Sequence, residues 1–183
     1  MTRYSGCIVA LTIAFGAAFA APTASQPEPA ARTETATFAA GCFWCVEEAF
    51  DKVAGVIATT SGYTAGHAPN PTYEQVSSGG TGHTEAVQVT YAAKVSYETL
   101  LKTFWRNVDA VDAGGQFCDR GPQYRSGVYV HSAAQRQQAE ASKAQIAAQL
   151  GKAIATEIEP GWPPASGATR PPRRGNWGTV RGG

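Results

Sequence analysis

The sequence predicts an α+β fold, with helices packed on a mixed sheet around a ferredoxin-like split βαβ core. Three observations carry this expectation. Strand-type and helix-type periodicities follow one another in the order β-α-β-β-α-β and then α-β. The chain has 183 residues, 43% apolar and 16% charged, which suits one globular domain with an ordinary core. Two stretches dense in turn residues, 64–83 and 109–126, interrupt the periodic elements, and the first is longer than a compact domain usually tolerates without a purpose.

The elements follow in order. "TATFAA" (35–40) is a short β-type run that ends at Gly41. "FWCVEEAFDKV" (43–53) has helical spacing, with Val46, Ala49, Phe50 and Val53 on one face and Glu47, Glu48 and Asp51 on the other. "GVIATTSGY" (55–63) reads as a strand, and so does the alternating "TEAVQVTY" (84–91). "SYETLLKTFWRNV" (96–108) is a helix with Ser96 as N-cap. "GVYVH" (127–131) is a strand, "SAAQRQQAEASKAQIAAQL" (132–150) a helix, and "AIATEIE" (153–159) a final strand.

The ends differ from this body. Arg3, the apolar run 6–20 and the A-x-A site Ala18-Phe19-Ala20 form a signal peptide over 1–20, so an exported, periplasmic protein is expected, with an uncleaved N-terminal anchor as the alternative. Residues 21–35 have linker composition, 36–160 form the folded domain, and 161–183 form an atypical, disordered tail rich in Pro, Gly and Arg. The net charge is +1, and Arg170, Arg173, Arg174 and Arg181 lie in that tail, so nothing favours a nucleic acid or an anionic surface as partner. No membrane association is expected after signal cleavage, and a monomer is expected.

Cys7 leaves with the signal, so the mature chain keeps Cys42, Cys45 and Cys118, an odd number that flags redox chemistry in an oxidising compartment. Cys42 stands where a strand ends and a helix begins. Free N–H groups and the helix dipole there stabilise a thiolate, so its pKa is expected to fall. Cys45 lies one turn on, within disulfide reach. A closed zinc site needs four ligands, and beyond the cysteines only scattered His67, His83 and His131 remain, so no metal is expected. A thioredoxin-like exchanger using the CxxC pair alone stays open on these residues.

The stretches "GCFWCVEEAF", "GVIATTSGYTAG", "NPTYEQVSSGGTGHTEAVQVTY" and "QFCDRGPQYRSGVYV" closely resemble peptide methionine sulfoxide reductase of the A class, over residues 36 to about 160. The resemblance implies reduction of free and protein-bound methionine S-sulfoxide through a cysteine sulfenic acid and then a disulfide. On this chain it makes Cys42 the nucleophile and Glu85 the acid, with Tyr63 and Tyr124 as hydroxyl donors to the sulfoxide oxygen. Phe43 and Trp44 become the pocket for the substrate methyl group, and Asp119 lies near the substrate backbone nitrogen. The chemistry agrees, because a sulfoxide oxygen leaves only when it is protonated or strongly hydrogen-bonded. Glu85 is expected to keep its proton in a partly apolar pocket.

No cofactor is implied beyond an external thioredoxin-type reductant, replaced by dithiothreitol in vitro. Many relatives resolve the sulfenic acid with cysteines near the C-terminus. This chain has none after Cys118, which leaves Cys45 as the first choice and Cys118 as the second. Ala65 and Ala110 stand where the family usually has Gly and Pro, with modest effects expected. The tail "GWPPASGATRPPRRGNWGTVRGG" replaces a segment that normally wraps the core, and it has the composition of a shifted reading frame. A destabilised fold or a more open site is expected to follow. An inactive remnant that binds oxidised methionine without turnover is the reading from a different class. Three smaller expectations complete the set: His83 and Arg125 order loops, and Gly79, Gly80 and Gly82 serve turns.

Overall fold

The computed structural model of the protein describes residues 32–161. The expected signal peptide, most of the expected linker and the tail beyond Gly161 lie outside the described residues.

Strand β1 (Thr33–Ala40) is central. Helix α1 (Phe43–Asp51) leads to strand β2 (Val56–Thr64), and the short helix α2 (Tyr73–Ser77) precedes strand β3 (Thr84–Ala92). Helix α3 (Tyr97–Arg106) is followed by a small hairpin of β4 (Gly115–Gln116) and β5 (Asp119–Arg120), then a 3-10 turn at Pro122–Tyr124. Strand β6 (Ser126–Val130), helix α4 (Ala133–Leu150) and strand β7 (Glu157–Pro160) complete the order. The main sheet runs β2-β3-β1-β6-β7, antiparallel except for the parallel β6–β7 pair. β1 and β2 flank β3, which is the split βαβ arrangement on a mixed sheet.

Strand periodicity decides which residues meet the helices. Phe38, Val87, Val89, Tyr91, Val128 and Val130 join Val46 and Phe50 of α1 and Leu100, Leu101 and Phe104 of α3 in the main core. Phe38 is its hub, with ring centroids 4.8 Å from Phe50 and 5.4 Å from Phe104.

Several local expectations change. β1 takes in Thr33–Thr35, which composition assigns to the linker, because these residues pair with Thr90–Ala92 and Tyr91 donates its hydroxyl to Glu34 at 2.8 Å. Glu47 is not on the solvent face. The buried stripe of α1 is Phe43, Val46, Glu47 and Phe50, and the Glu47 carboxyl accepts from the Thr59 and Ser61 hydroxyls of β2, each at 3.3 Å. The stretch 64–83 is not all loop. Thr72 and Gln75 close a reciprocal capping box on α2, and Val76 is fully buried beneath it. The stretch 109–126 likewise contains the β4–β5 hairpin. The last strand begins only at Glu157, because the backbone before it turns aside to Ala110, whose carbonyl accepts from the N–H of Ala155 at 2.7 Å.

Candidate active site

The site is built where the helix-facing side of the sheet meets the start of α1. Gly41, at φ +84, turns the chain from β1 into that helix, and a Cβ there would sit 2.7 Å from the Cβ of Gln116. Cys42 is the N-cap residue, half-buried, and it forms no side-chain capping hydrogen bond. Its carbonyl accepts from the N–H of Cys45 at 3.1 Å, so both cysteines share the first turn. Cys45 is exposed, and all three described cysteines are free thiols.

Glu85 shares the period-2 register of Val87, Val89 and Tyr91, so it points toward the helices rather than to solvent. Only 2% of it is exposed, and its carboxylate accepts the Phe43 N–H at 3.0 Å. The acid thus stands at the helix end that Cys42 caps. Burial pushes its pKa up to about 7; the Asp119 charge adds to the rise and the Phe43 N–H opposes it. A carboxyl group that holds its proton near neutrality can serve as a general acid.

Tyr63 lies directly across from Glu85 in the β2–β3 ladder, on the same face. Burial, then the Glu85 charge, drives its pKa upward, so the hydroxyl stays protonated and available as a donor. Tyr124 is pushed the same way by burial and by the charges of Glu85, Tyr73, Asp119 and Cys42. The 3-10 turn that carries it is tied down on three sides. Thr84 donates to the Gln123 carbonyl at 3.0 Å, the Gln123 amide donates to Ser77 at 3.1 Å, and Arg125 donates to Pro122 at 2.8 Å. Arg125 also pairs with Glu157 at 3.1 Å, so it orders this loop as expected.

One sequence expectation reverses. The Cys42 pKa is raised, not lowered. Burial is the largest cause; the N–H groups of Cys45 and Trp44 pull the other way, and the charges of Cys45 and Glu85 add to the rise. The helix terminus does favour the thiolate, but desolvation and two acidic neighbours outweigh it.

Phe43 and Trp44 separate in character. Phe43 is 2% exposed and belongs to the core, whereas Trp44 is 53% exposed. Their rings lie 5.4 Å apart and tilted by 45°. Tyr63 approaches Phe43 at 5.8 Å, so a buried ring, a solvent-facing ring and a tyrosine lie side by side. Sequence reasoning missed Tyr73, which stacks on Trp44 at 6.2 Å. Its signal was present in Thr72-Tyr73-Glu74-Gln75, the pattern of a capping box.

Asp119, on β5, is close enough for its charge to act on both Glu85 and Tyr124. Cys118 is not in an irregular loop. It shares the two-residue turn of the β4–β5 hairpin with Phe117, whose φ is +52, and it is exposed. The packing of Gly41 on Gln116 sets this hairpin against the Cys42 turn. His83 is buried and takes a backbone bond to the Thr81 hydroxyl at 3.3 Å. Gly79 and Gly82 both adopt positive φ, as turn glycines do. Among the described residues no group of three or more His, Cys, Asp or Glu side chains is placed to hold a metal ion.

The family model described as "Peptide methionine sulfoxide reductase" matches residues 34–163. A peptide methionine sulfoxide reductase MsrA of Bacillus pumilus is 51% identical over 130 residues, covering 69% of this chain and 73% of the relative. A peptide methionine sulfoxide reductase MsrA 2 of Caulobacter vibrioides is 53% identical over 142 residues, covering 76% and 72%. The crystal structure of reduced Mxr1 from Saccharomyces cerevisiae is 31% identical, covers 74% of this chain and 79% of that one, and superposes with a TM-score of 0.66.

Proposed function

Since this chain belongs to the peptide methionine sulfoxide reductase family, we propose that it reduces methionine S-sulfoxide, free and in proteins, with Cys42 as nucleophile and Glu85 as acid. The observation that carries this reading is the contact between the buried Glu85 carboxylate and the Phe43 N–H, which sets a proton donor beside the thiol that caps the same helix.

The Cys42 sulfur attacks the sulfoxide sulfur while Glu85, with Tyr63 and Tyr124, supplies the proton and hydrogen bonds that the oxygen needs. The S–O bond breaks and the oxygen leaves as water, giving a Cys42–methionine sulfonium; water then attacks the Cys42 sulfur, the S–S bond breaks, methionine leaves, and Cys42 becomes a sulfenic acid. Cys42 is oxidised by two electrons and the sulfoxide is reduced by two. The raised Cys42 pKa fits this order, because a neutral Glu85 removes one of the charges that oppose the thiolate. Phe43 and Trp44 receive the methyl group, and Asp119 faces the backbone side of the substrate.

Cys45 then condenses with the sulfenic acid, releasing water and forming a Cys42–Cys45 disulfide. Cys45 is favoured because it shares the first helical turn with Cys42; the exposed Cys118 is the alternative. A thioredoxin-type dithiol, or dithiothreitol, returns both thiols. A plain thiol–disulfide exchanger has no oxygen to release, so it would not need tyrosine hydroxyls beside the acid. We take the chain to be exported and periplasmic on the strength of residues 1–20 alone, and the mass of the mature protein tests that.

The reaction is tested by assaying the separated S and R epimers with dithiothreitol. Turnover of the S epimer alone, abolished by Cys42→Ser, is expected. Turnover that survives Cys42→Ser would refute the nucleophile, and binding of the sulfoxide without turnover would leave the chain an inactive remnant.

A further inference from the structure

We propose that His83 is a positioning residue for the reaction: Gly66-His67 and Gly82-His83 clasp each other where β2 and β3 part, and the clasp fixes the three groups that act on the sulfoxide oxygen, Tyr63, Glu85 and Tyr124. This rests on the reductase reading above. The β2–β3 ladder ends with the pairs Tyr63–Glu85 and Thr64–Thr84. Just beyond it each strand meets a glycine and a histidine. The His83 ring lies against Gly66, where any Cβ would overlap it. The His67 ring lies against Gly82 in return, and a Cβ there would sit 2.7 Å from its Nδ1. Backbone bonds close the same junction. The Thr81 carbonyl accepts the His67 N–H at 3.1 Å, and the Thr81 hydroxyl accepts the His83 N–H at 3.3 Å.

The clasp also holds the third donor. Arg125, next to Tyr124, donates to the Gly82 carbonyl at 3.3 Å, and the Thr84 hydroxyl donates to the Gln123 carbonyl at 3.0 Å. Gly66 thus stands three residues after Tyr63, His83 two before Glu85, and Arg125 directly after Tyr124. One junction reaches all three groups, which come from separate parts of the chain.

His83 acts by filling space. It is 4% exposed, and its Nδ1 makes no hydrogen bond among the described residues. Burial, then the charges of His67 and Arg125, hold its pKa below the ordinary value, so a flat, neutral ring occupies the clasp. A smaller side chain would leave that volume to water. Water at this end of the ladder would let Tyr63 shift and would relieve the burial that keeps Glu85 protonated.

The test compares His83→Ala, His83→Phe and Gly66→Ala with the unmodified full chain, driven by dithiothreitol on the S epimer. Rates are taken per chain that releases methionine in a single turnover, so unfolded protein does not count as lost rate. His83→Ala is expected to lower kcat about ten- to hundred-fold, the scale of a misplaced catalytic group, and to leave KM within about two-fold. Its pH–rate profile should level off about one unit below the unmodified chain's break near 7, where Glu85 titrates. Asp119, Cys42, Tyr63 and Tyr124, the titratable groups whose charges couple to Glu85, are the same in every variant. Gly66 is not at positive φ, so Gly66→Ala adds only the overlap with the ring. It should lose rate as His83→Ala does, and the double variant should be no worse than either. His83→Phe keeps a flat ring and should recover most of kcat. Lower urea stability with kcat and the pH break unchanged would make the clasp merely structural and overturn the proposal. A rise in KM at unchanged kcat would also overturn it, as would losses that multiply in the double variant. Failure of the unmodified chain to turn over either epimer would refute the reductase reading itself.

Discussion

Replacing Glu85 by glutamine separates what the acid does for catalysis from what it does to the fold. Glu85 is 2% exposed, and its pKa rises from an ordinary 4.5 to about 7, chiefly through burial. Below pH 4.5 the carboxyl is neutral in both the folded and unfolded chains and contributes nothing to a pH dependence. Between 4.5 and about 7 the unfolded chain has released its proton and the folded chain has not, so stability falls as pH rises. A shift of about 2.5 units at 1.36 kcal/mol per unit makes this loss about 3 kcal/mol once the pH exceeds 7. Glutamine has the same shape, can still accept the Phe43 N–H through its amide oxygen, and does not ionise. The variant should therefore be inactive yet more stable than the unmodified chain at pH 8, by up to about 3 kcal/mol, and equal to it at pH 4. Urea midpoints of both proteins at the two pH values give the comparison. Cys42 provides a second readout: loss of the Glu85 charge removes one cause of its raised pKa, so alkylation by iodoacetamide should be faster in the variant at pH 8. Stability curves that run parallel across the whole pH range would refute the placement of a protonated carboxyl at this site.

Activity carries the same titration: in a pH–rate profile kcat/KM for the S epimer should rise with pH up to about 7 and then level off, because above it Glu85 loses the proton it must donate as fast as Cys42, whose pKa is raised, gains thiolate. Gly41→Ala should lower stability by about 2 kcal/mol and abolish most activity, because φ +84 is strained for alanine and the new methyl meets Gln116, read by urea unfolding and the epimer assay. Ala65 adopts φ +57, so Ala65→Gly should raise stability by about 1 kcal/mol with no change in turnover, measured by the same unfolding curves. The structure gives this departure from the family pattern a physical meaning, since alanine there holds a conformation that glycine adopts freely.

The longer periodic elements were legible in sequence. α3 with its Ser96 cap and β3 follow from hydrophobic periods of 3.6 and 2 residues, α4 from its run of Ala and Gln, and the place of β3 between β1 and β2 from the β-α-β-β-α-β order. What stayed hidden depends on which of two faces is buried. Glu47 falls at i+4 from Phe43 and i+1 from Val46, inside a stripe that the charge of its side chain argues against. Glu85 begins an alternating strand, where a glutamate usually faces solvent, and its shared register with Val87 and Val89 turns it inward. The Cys42 pKa was misjudged because the helix end is a local feature, readable from strand–turn–helix order, whereas desolvation and the approach of Glu85 from a strand 43 residues later are tertiary. Tyr73 was missed because Pro, Asn and Gly around it outweighed a one-turn helix.

A single turnover of the fully reduced protein, without any added reductant, tests the chemistry most directly. Mixed with excess S-sulfoxide and quenched, each chain should release one methionine, and peptide mapping should find Cys42 joined to Cys45 with Cys118 free. Cys42→Ser should release none. A Cys42–Cys118 bridge would move the resolving role to the hairpin, and methionine release from Cys42→Ser, or none from the unmodified chain, would contradict attack by Cys42 on the sulfoxide.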